Sequence, residues 1–230
     1  MSGRQAYRDP YVPDGETTVY RLALASGGQH AEVTSRVEHD GPDRYLLHME
    51  VPHDELDVRA ELAFARRDGL VTASSYQLEA RNDGRLVSRE EGYFEGTSHI
   101  QFGGKIAPYP KDLVPLLGGI LALRGLDFSR GVSRRLNIWL AFSAYWQVDL
   151  KVEKRETISL PVGRIDAWRV KVRPSFAQIS GLLDKIVGGL LPDFTLHFAV
   201  DDAHRMLRFT FPTGPFPWNP KGVVEAIKLD

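Results

Sequence analysis

From Thr17 to about Phe102 apolar and polar positions alternate with period two, and turn residues interrupt the alternation every eight to twelve positions. Tyr20, Leu22 and Leu24 share one phase, as do Ala31, Val33 and Val37 after the Ser26-Gly-Gly turn. Tyr45, Leu47, Met49 and Val51 follow Asp40-Gly-Pro; Leu56, Val58, Ala60, Leu62 and Phe64 then alternate with Asp57, Arg59 and Glu61. Asp68-Gly69 turns the chain into Leu70, Thr72, Ser74, Tyr76 and Leu78, and Asn82-Asp-Gly84 turns it into residues 85–94. The pattern resumes with Leu136, Ile138, Leu140 and Phe142, then Trp146, Val148, Leu150 and Val152, then Trp168, Val170 and Val172. Phe194–Val200, Arg205–Phe211 and a closing segment from Gly222 to Leu229 complete it.

Strands joined by turns this short pair with their neighbours, and clean alternation puts one face on a core and the other in water. The expected fold is all-β and mainly antiparallel. It is a meandering, closed or nearly closed β-barrel or clam, lipocalin-like in architecture, because closure removes exposed edges. Two apolar segments interrupt it, each with a Gly-Gly: residues 112–123 and 178–191. They are expected to be short helices covering an end of the barrel, Ser175 being a plausible N-cap for the second. Residues 1–15, polar with Pro10, Pro13 and Gly15, read as a loose arm. No linker divides the chain, so 1–230 is expected to be one domain.

The segment Glu153-Lys-Arg-Glu-Thr-Ile-Ser-Leu-Pro-Val-Gly-Arg-Ile-Asp-Ala-Trp-Arg-Val and the hairpin Phe194-Thr-Leu-His-Phe-Ala-Val-Asp-Asp-Ala-His-Arg resemble a bacterial family of unknown function, the domain-of-unknown-function family 3108. Gly15-Glu-Thr-Thr-Val-Tyr20 resembles its first strand. The likeness covers about half the chain. It implies a secreted or periplasmic type of antiparallel β-protein and carries no catalytic residues. This chain departs from the family pattern in having no apolar leader at Met1–Pro10 and in its heavier apolar insertions.

Charged residues make up 26% of the 230 and balance to a net charge of −1, so no strong field recruits nucleic acid. The absence of cysteine excludes disulfides, thiolate chemistry and cysteine-ligated metals. No apolar run approaches the ~18 residues of a membrane-spanning helix, and no secretory h-region opens the chain. A cytoplasmic protein is the resulting expectation. There is no phosphate loop, dinucleotide fingerprint or serine elbow, and none of the seven histidines has metal-ligand spacing. Neither cofactor nor metal is implied.

Candidate chemistry lies in polar groups on apolar faces. Tyr20, Tyr45, Thr72, Ser74 and Tyr76 share parity with aliphatic neighbours. They would be either rim residues with satisfied hydroxyls or ligand-facing groups. Met49, Trp146 and Trp168 lie on the same apolar faces and complete the candidate binding set. In residues 85–94 either Glu90 or Glu91 must point inward, and an enclosed carboxyl could act as acid or base with Tyr76. The expected partner is a hydrophobic small molecule. One reading is a binding barrel acting as a cofactor-independent cyclase or isomerase on a polyene or polyketide-like substrate, since such steps need shape and a few hydrogen bonds. The alternative is a non-catalytic carrier of lipid or another hydrophobic ligand.

Overall fold

A computed structural model of the chain describes residues 7–24, 30–53, 56–94, 98–100, 106–108, 113–115, 119–141, 144–175, 193–201, 203–214 and 219–230. The N-terminal half contributes β1 (Tyr7–Arg8), β2 (Thr17–Leu24), β3 (Ala31–His39), β4 (Arg44–His53), β5 (Leu56–Arg67), β6 (Leu70–Asn82) and β7 (Arg85–Tyr93). Three short strands follow, β8 (Ser98–Ile100), β9 (Ile106–Pro108) and β10 (Leu113–Pro115), then the single-turn helix α1 (Gly119–Leu123). The C-terminal half holds β11 (Ser133–Ala141), β12 (Ala144–Leu160), β13 (Gly163–Pro174), β14 (Phe194–Ala199), β15 (Met206–Pro212) and β16 (Lys221–Leu229).

All but β8 and β9 belong to one 14-stranded sheet, ordered β1-β6-β5-β4-β3-β2-β16-β15-β14-β13-β12-β11-β10, with β7 also on β6. The last strand, β16, lies between β2 and β15 and so joins the two halves. Local chemistry explains the hairpins. Asp68-Gly69 and Asp83-Gly84 both have positive φ at each central residue (53° and 71°; 48° and 75°), the turn whose twist matches paired strands.

The expected phases hold over β2–β5. Tyr45, Leu47, Leu62 and Phe64 are buried, and Met49 and Val51 lean on the same core. Val152, Val170 and Phe198, all at 0% exposure, continue that core through the other half. A smaller cluster of Ile158, Leu160, Ala167, Ala199 and Leu207 forms on the opposite parity, where the far end of the β12–β13 hairpin meets β14 and β15.

Several expectations are corrected. The sheet is not closed: one margin is β1 and β7 on β6, the other is β10, and no hydrogen-bonded seam joins them among the described residues. β10 comes within 8 Å of β6, Cα to Cα, without pairing. A three-residue strand ending in Pro115, which has no N–H, offers too little ladder to seal the gap. β10 is also parallel to β11, a departure from the antiparallel rule. Residues 112–123 therefore do not make one cover helix; their described parts are a strand and one helical turn. The second expected cover, 178–191, lies outside the described residues. Residues 98–100 leave the main sheet and pair with 106–108. The arm is not loose from Tyr7 onward: Tyr7, Asp9 and Val12 are buried, and β1 pairs with β6.

Candidate ligand-binding face

The β6 phase breaks at a bulge. Ala63 faces Ser75 and Phe64 faces Ala73, which leaves Ser74 as the extra residue. Before the bulge the core-facing positions are Val71, buried, and Ala73, partly buried; after it they are Tyr76, buried, and Leu78, partly buried. Leu70 is accordingly 42% exposed, and Thr72, opposite Ala65, falls on the other face from Val71. Thr72 is thus removed from the inward set. Ser74 stays in it: its Oγ is enclosed without a hydrogen-bond partner, and its carbonyl accepts the Phe94 N–H at 2.8 Å.

The bulge also decides between the two glutamates. β7 places Leu78 opposite Glu90 and Tyr76 opposite Gly92. Glu90 is 3% exposed and accepts the Tyr76 hydroxyl at 2.6 Å. Glu91, opposite Gln77, faces outward and takes the Arg89 Nε–H at 2.7 Å. Glu90 closes a cross-strand row whose other members are Met49, Ala60 and Leu78. Leu47 and Leu62 lead to Tyr76 in the next row, and the Phe94 ring lies 5.5 Å from the phenol. A carboxyl, a phenol and an unengaged hydroxyl therefore sit in an otherwise apolar wall. Enclosing such groups costs a few kcal/mol each unless they are paired.

Two other candidate tyrosines are committed to the fold. Tyr45, fully buried, donates to Asp9 Oδ1 at 2.6 Å and accepts the Val12 N–H at 3.2 Å. Arg66 Nε donates to Asp9 Oδ2 at 2.8 Å, and its guanidinium lies 4.3 Å from the centre of the Tyr45 ring. Burial would push the Asp9 carboxyl up, but hydrogen bonds from Tyr45, Arg66 and the Tyr11 N–H, with the Arg66 charge, hold it below the usual carboxylate range. Burial, with the adjoining carboxylate, raises the Tyr45 hydroxyl. Tyr20 donates to the Met206 carbonyl at 3.1 Å, and burial pushes its hydroxyl up to about 12.

Neither tryptophan joins the Tyr76–Glu90 pair. Trp146 shares the face of Val148 and Leu150 but sits beyond the core at 41% exposure. Trp168 is half-buried and stacks on Phe128 at 6.4 Å. The candidate set thus resolves into one cluster, Ser74, Tyr76 and Glu90 with Met49 along the wall, and a scatter of structural residues.

Two polar clusters were not foreseen. Arg124, just after α1, donates through both terminal nitrogens to Glu16 at 2.6 and 2.9 Å and through Nε to the Ala203 carbonyl at 2.5 Å. Arg205 approaches the same carboxylate at 3.2 Å. The second is on the opposite face. His197 is 7% exposed, its Nε2 lies 3.0 Å from Glu156 Oε1, and its Nδ1 is enclosed without a partner. Its cross-strand neighbours are Arg169 and Arg208. His197 is covered because β12, beyond its bulge at Val152/Lys154, brings Glu156 to its ring. Periodicity carries no signal for either cluster, since each depends on residues distant in sequence.

Among the described residues no group of histidine and acidic side chains could hold a metal ion, and no helix is long and apolar enough to cross a membrane. No family model matches the chain, and no curated protein does. Two solved structures align with nearly the whole chain at low identity. One, from Bacteroides fragilis, is described as an exported protein with a YmcC-like fold (13% identity, TM-score 0.38, covering 98% of this chain and 99% of that one). The other, from Parabacteroides distasonis, is described as a lipoprotein (10% identity, TM-score 0.34, covering 98% and 100%). Both descriptions are of extracytoplasmic proteins, so the cytoplasmic expectation is withdrawn.

Proposed function

We propose that the inner face around β6 and β7 binds a hydrophobic small molecule, with Ser74, Tyr76 and Glu90 fixing its polar end. The observation that carries this reading is the enclosed, unpartnered Ser74 Oγ beside a carboxyl–phenol pair in an apolar wall. A hydroxyl on the ligand would donate to Glu90, and a carbonyl would accept from Ser74. Leu78, Met49 and Phe94 would hold the apolar remainder. The role supported best is that of a binding protein. The Tyr76–Glu90 hydrogen bond also supplies the proton donor and acceptor that a cofactor-free isomerase or cyclase would use, so conversion of a bound polyene is the second reading.

The test is titration with the neutral hydrophobic fluorophore N-phenyl-1-naphthylamine, alongside mass spectrometry of molecules that co-purify. Ser74→Ala removes an unpaired buried hydroxyl, so stability should hold or rise while retention of the co-purified ligand falls by about tenfold, the loss of one hydrogen bond. Tyr76→Phe should weaken retention similarly. Variants that lower the melting temperature and leave both ligand measurements unchanged would make these groups structural and end the proposal.

A further inference from the structure

The outward face of β11–β13 carries an arrangement that the inner-face reading leaves unused. Leu150, Val152, Val170 and Val172 point to the core, so the alternate residues Asp149, Lys151, Lys171 and Arg173 stand on the other side. There the register sets Lys151 directly opposite Lys171, and Arg135 opposite Asp149, which is itself opposite Arg173. Like charges directly opposite one another on antiparallel strands repel.

The surrounding carboxylates relieve this only in part. Arg135 is engaged by Asp149 at 2.7 Å. Asp193 takes both Arg173, at 2.6 Å, and Lys171. Among the described residues Lys151 has no carboxylate within ion-pair distance, and it faces its like-charged partner across the ladder. These side chains line a groove of about 560 Å³, with Ser133 at one end. On this face its lining holds four cations, Arg135, Lys151, Lys171 and Arg173, against the two anions Asp149 and Glu153; Arg134, opposite Leu150, belongs to the other face. Adding Asp193, which grips the far wall, and Arg169, which engages Glu153 at 3.1 Å, leaves two positive charges uncompensated. The whole chain carries a net charge of −1, so the excess is local.

We infer that this groove binds a doubly charged oxyanion, a phosphate monoester group, with Lys151 as its principal contact. Phosphate chemistry fits on three counts. A dianion matches the uncompensated charge. Its oxygens can accept from Lys151 while Arg135 and Arg173 keep their carboxylates and contribute through field and remaining N–H donors. The groove is also several times larger than a bare phosphate, within the range of small-molecule sites, which leaves room for the group the phosphate is attached to. The anion would relieve the Lys151–Lys171 repulsion. The site lies on the opposite face of the sheet from Glu90 and stands or falls independently of the inner-face reading.

The phosphate could belong to a soluble ester or to a lipid headgroup, and the experiment separates them. The full-length protein is titrated with glycerol 3-phosphate by calorimetry and by amide chemical-shift mapping, with chloride added to hold ionic strength constant. In parallel it is sedimented with vesicles of phosphatidic acid in phosphatidylcholine and of phosphatidylcholine alone. Saturable binding that moves the amides of 149–151 and 171–173 is expected. It should weaken at least tenfold in Lys151→Gln and be largely kept in Lys151→Arg. Lys151 is exposed, so the fold tolerates both changes. Binding confined to phosphatidic acid vesicles, and lost in Lys151→Gln, supports the site with a lipid as the source. Absence of binding in both arms, binding that chloride abolishes, or binding indifferent to Lys151→Gln overturns it.

Discussion

The buried Arg124–Glu16–Arg205 cluster makes a sharp stability prediction. The Glu16 side chain is 4% exposed, Arg124 5% and Arg205 17%. In Glu16→Gln the shape is kept, but two guanidinium groups lose their only shared carboxylate. Removing one partner of a buried pair costs about 3–5 kcal/mol, because the remaining charge stays out of water. In a chain of this length each kcal/mol corresponds to about 2–4 °C, so the melting temperature should fall by roughly 6–20 °C. Glu16→Leu with Arg124→Met removes the charged pair and restores apolar contact. Arg205 then still reaches the Asp230 carbonyl at 3.0 Å and some solvent. The double variant should therefore lose less than Glu16→Gln alone, and high salt should leave the loss largely in place, since an enclosed pair is poorly screened. Urea unfolding followed by circular dichroism measures all of this. A Glu16→Gln loss below about 1 kcal/mol, or single-variant losses that simply add, would refute the argument that an unpaired buried charge is at issue.

Two further predictions concern pH. Asp9 is held below the usual carboxylate range by Tyr45 and Arg66, so its contribution is complete above the unfolded value of about 3.9 and disappears as pH falls through the lower folded value. Asp9→Asn should flatten that acid limb of the urea midpoint, and an unchanged limb would remove Asp9 from the account. His197 is lowered by burial, opposed by Glu156 and reinforced by the Arg208 and Arg169 charges. Its contribution is therefore complete above about 6.5 and lost as pH falls toward the folded value. Ring-proton NMR should find its midpoint below that of an exposed histidine; a midpoint at or above 6.5 would contradict the burial argument.

Strand phase was readable from the residues wherever neighbouring strands stay in simple register, as from Tyr20 through Phe64. It failed where one extra residue enters a ladder. Ser74 reverses the parity of β6, and Leu207, extra between Arg208 and Met206, turns to the second cluster. A bulge is a two-strand property that no single strand's periodicity records. Residues 112–123 misled for a related reason: a short apolar run has no period that separates helix from strand, and its Leu113–Pro115 portion found an edge on β11. The N-terminal arm looked loose because its fasteners, Tyr45 and Arg66, lie in β4 and β5.

Polar residues on apolar faces carry a signal with two physical origins that sequence does not separate. Tyr45 and Tyr76 are both buried tyrosines that donate to a carboxylate at 2.6 Å. Asp9 reaches Tyr45 from the arm, with Arg66 supplying the counter-charge and the Val12 N–H filling the remaining acceptor, so that group ties the arm to the sheet. Glu90 reaches Tyr76 from within the sheet, along a row of Met49, Ala60 and Leu78, with the Ser74 hydroxyl enclosed and unpartnered in the same strand as the phenol. Selection for stability alone would favour Ala or Val over an enclosed, unengaged hydroxyl at such a position. The presence of that hydroxyl in the same strand as Tyr76 is therefore the reason to look for a ligand there and not at Tyr45.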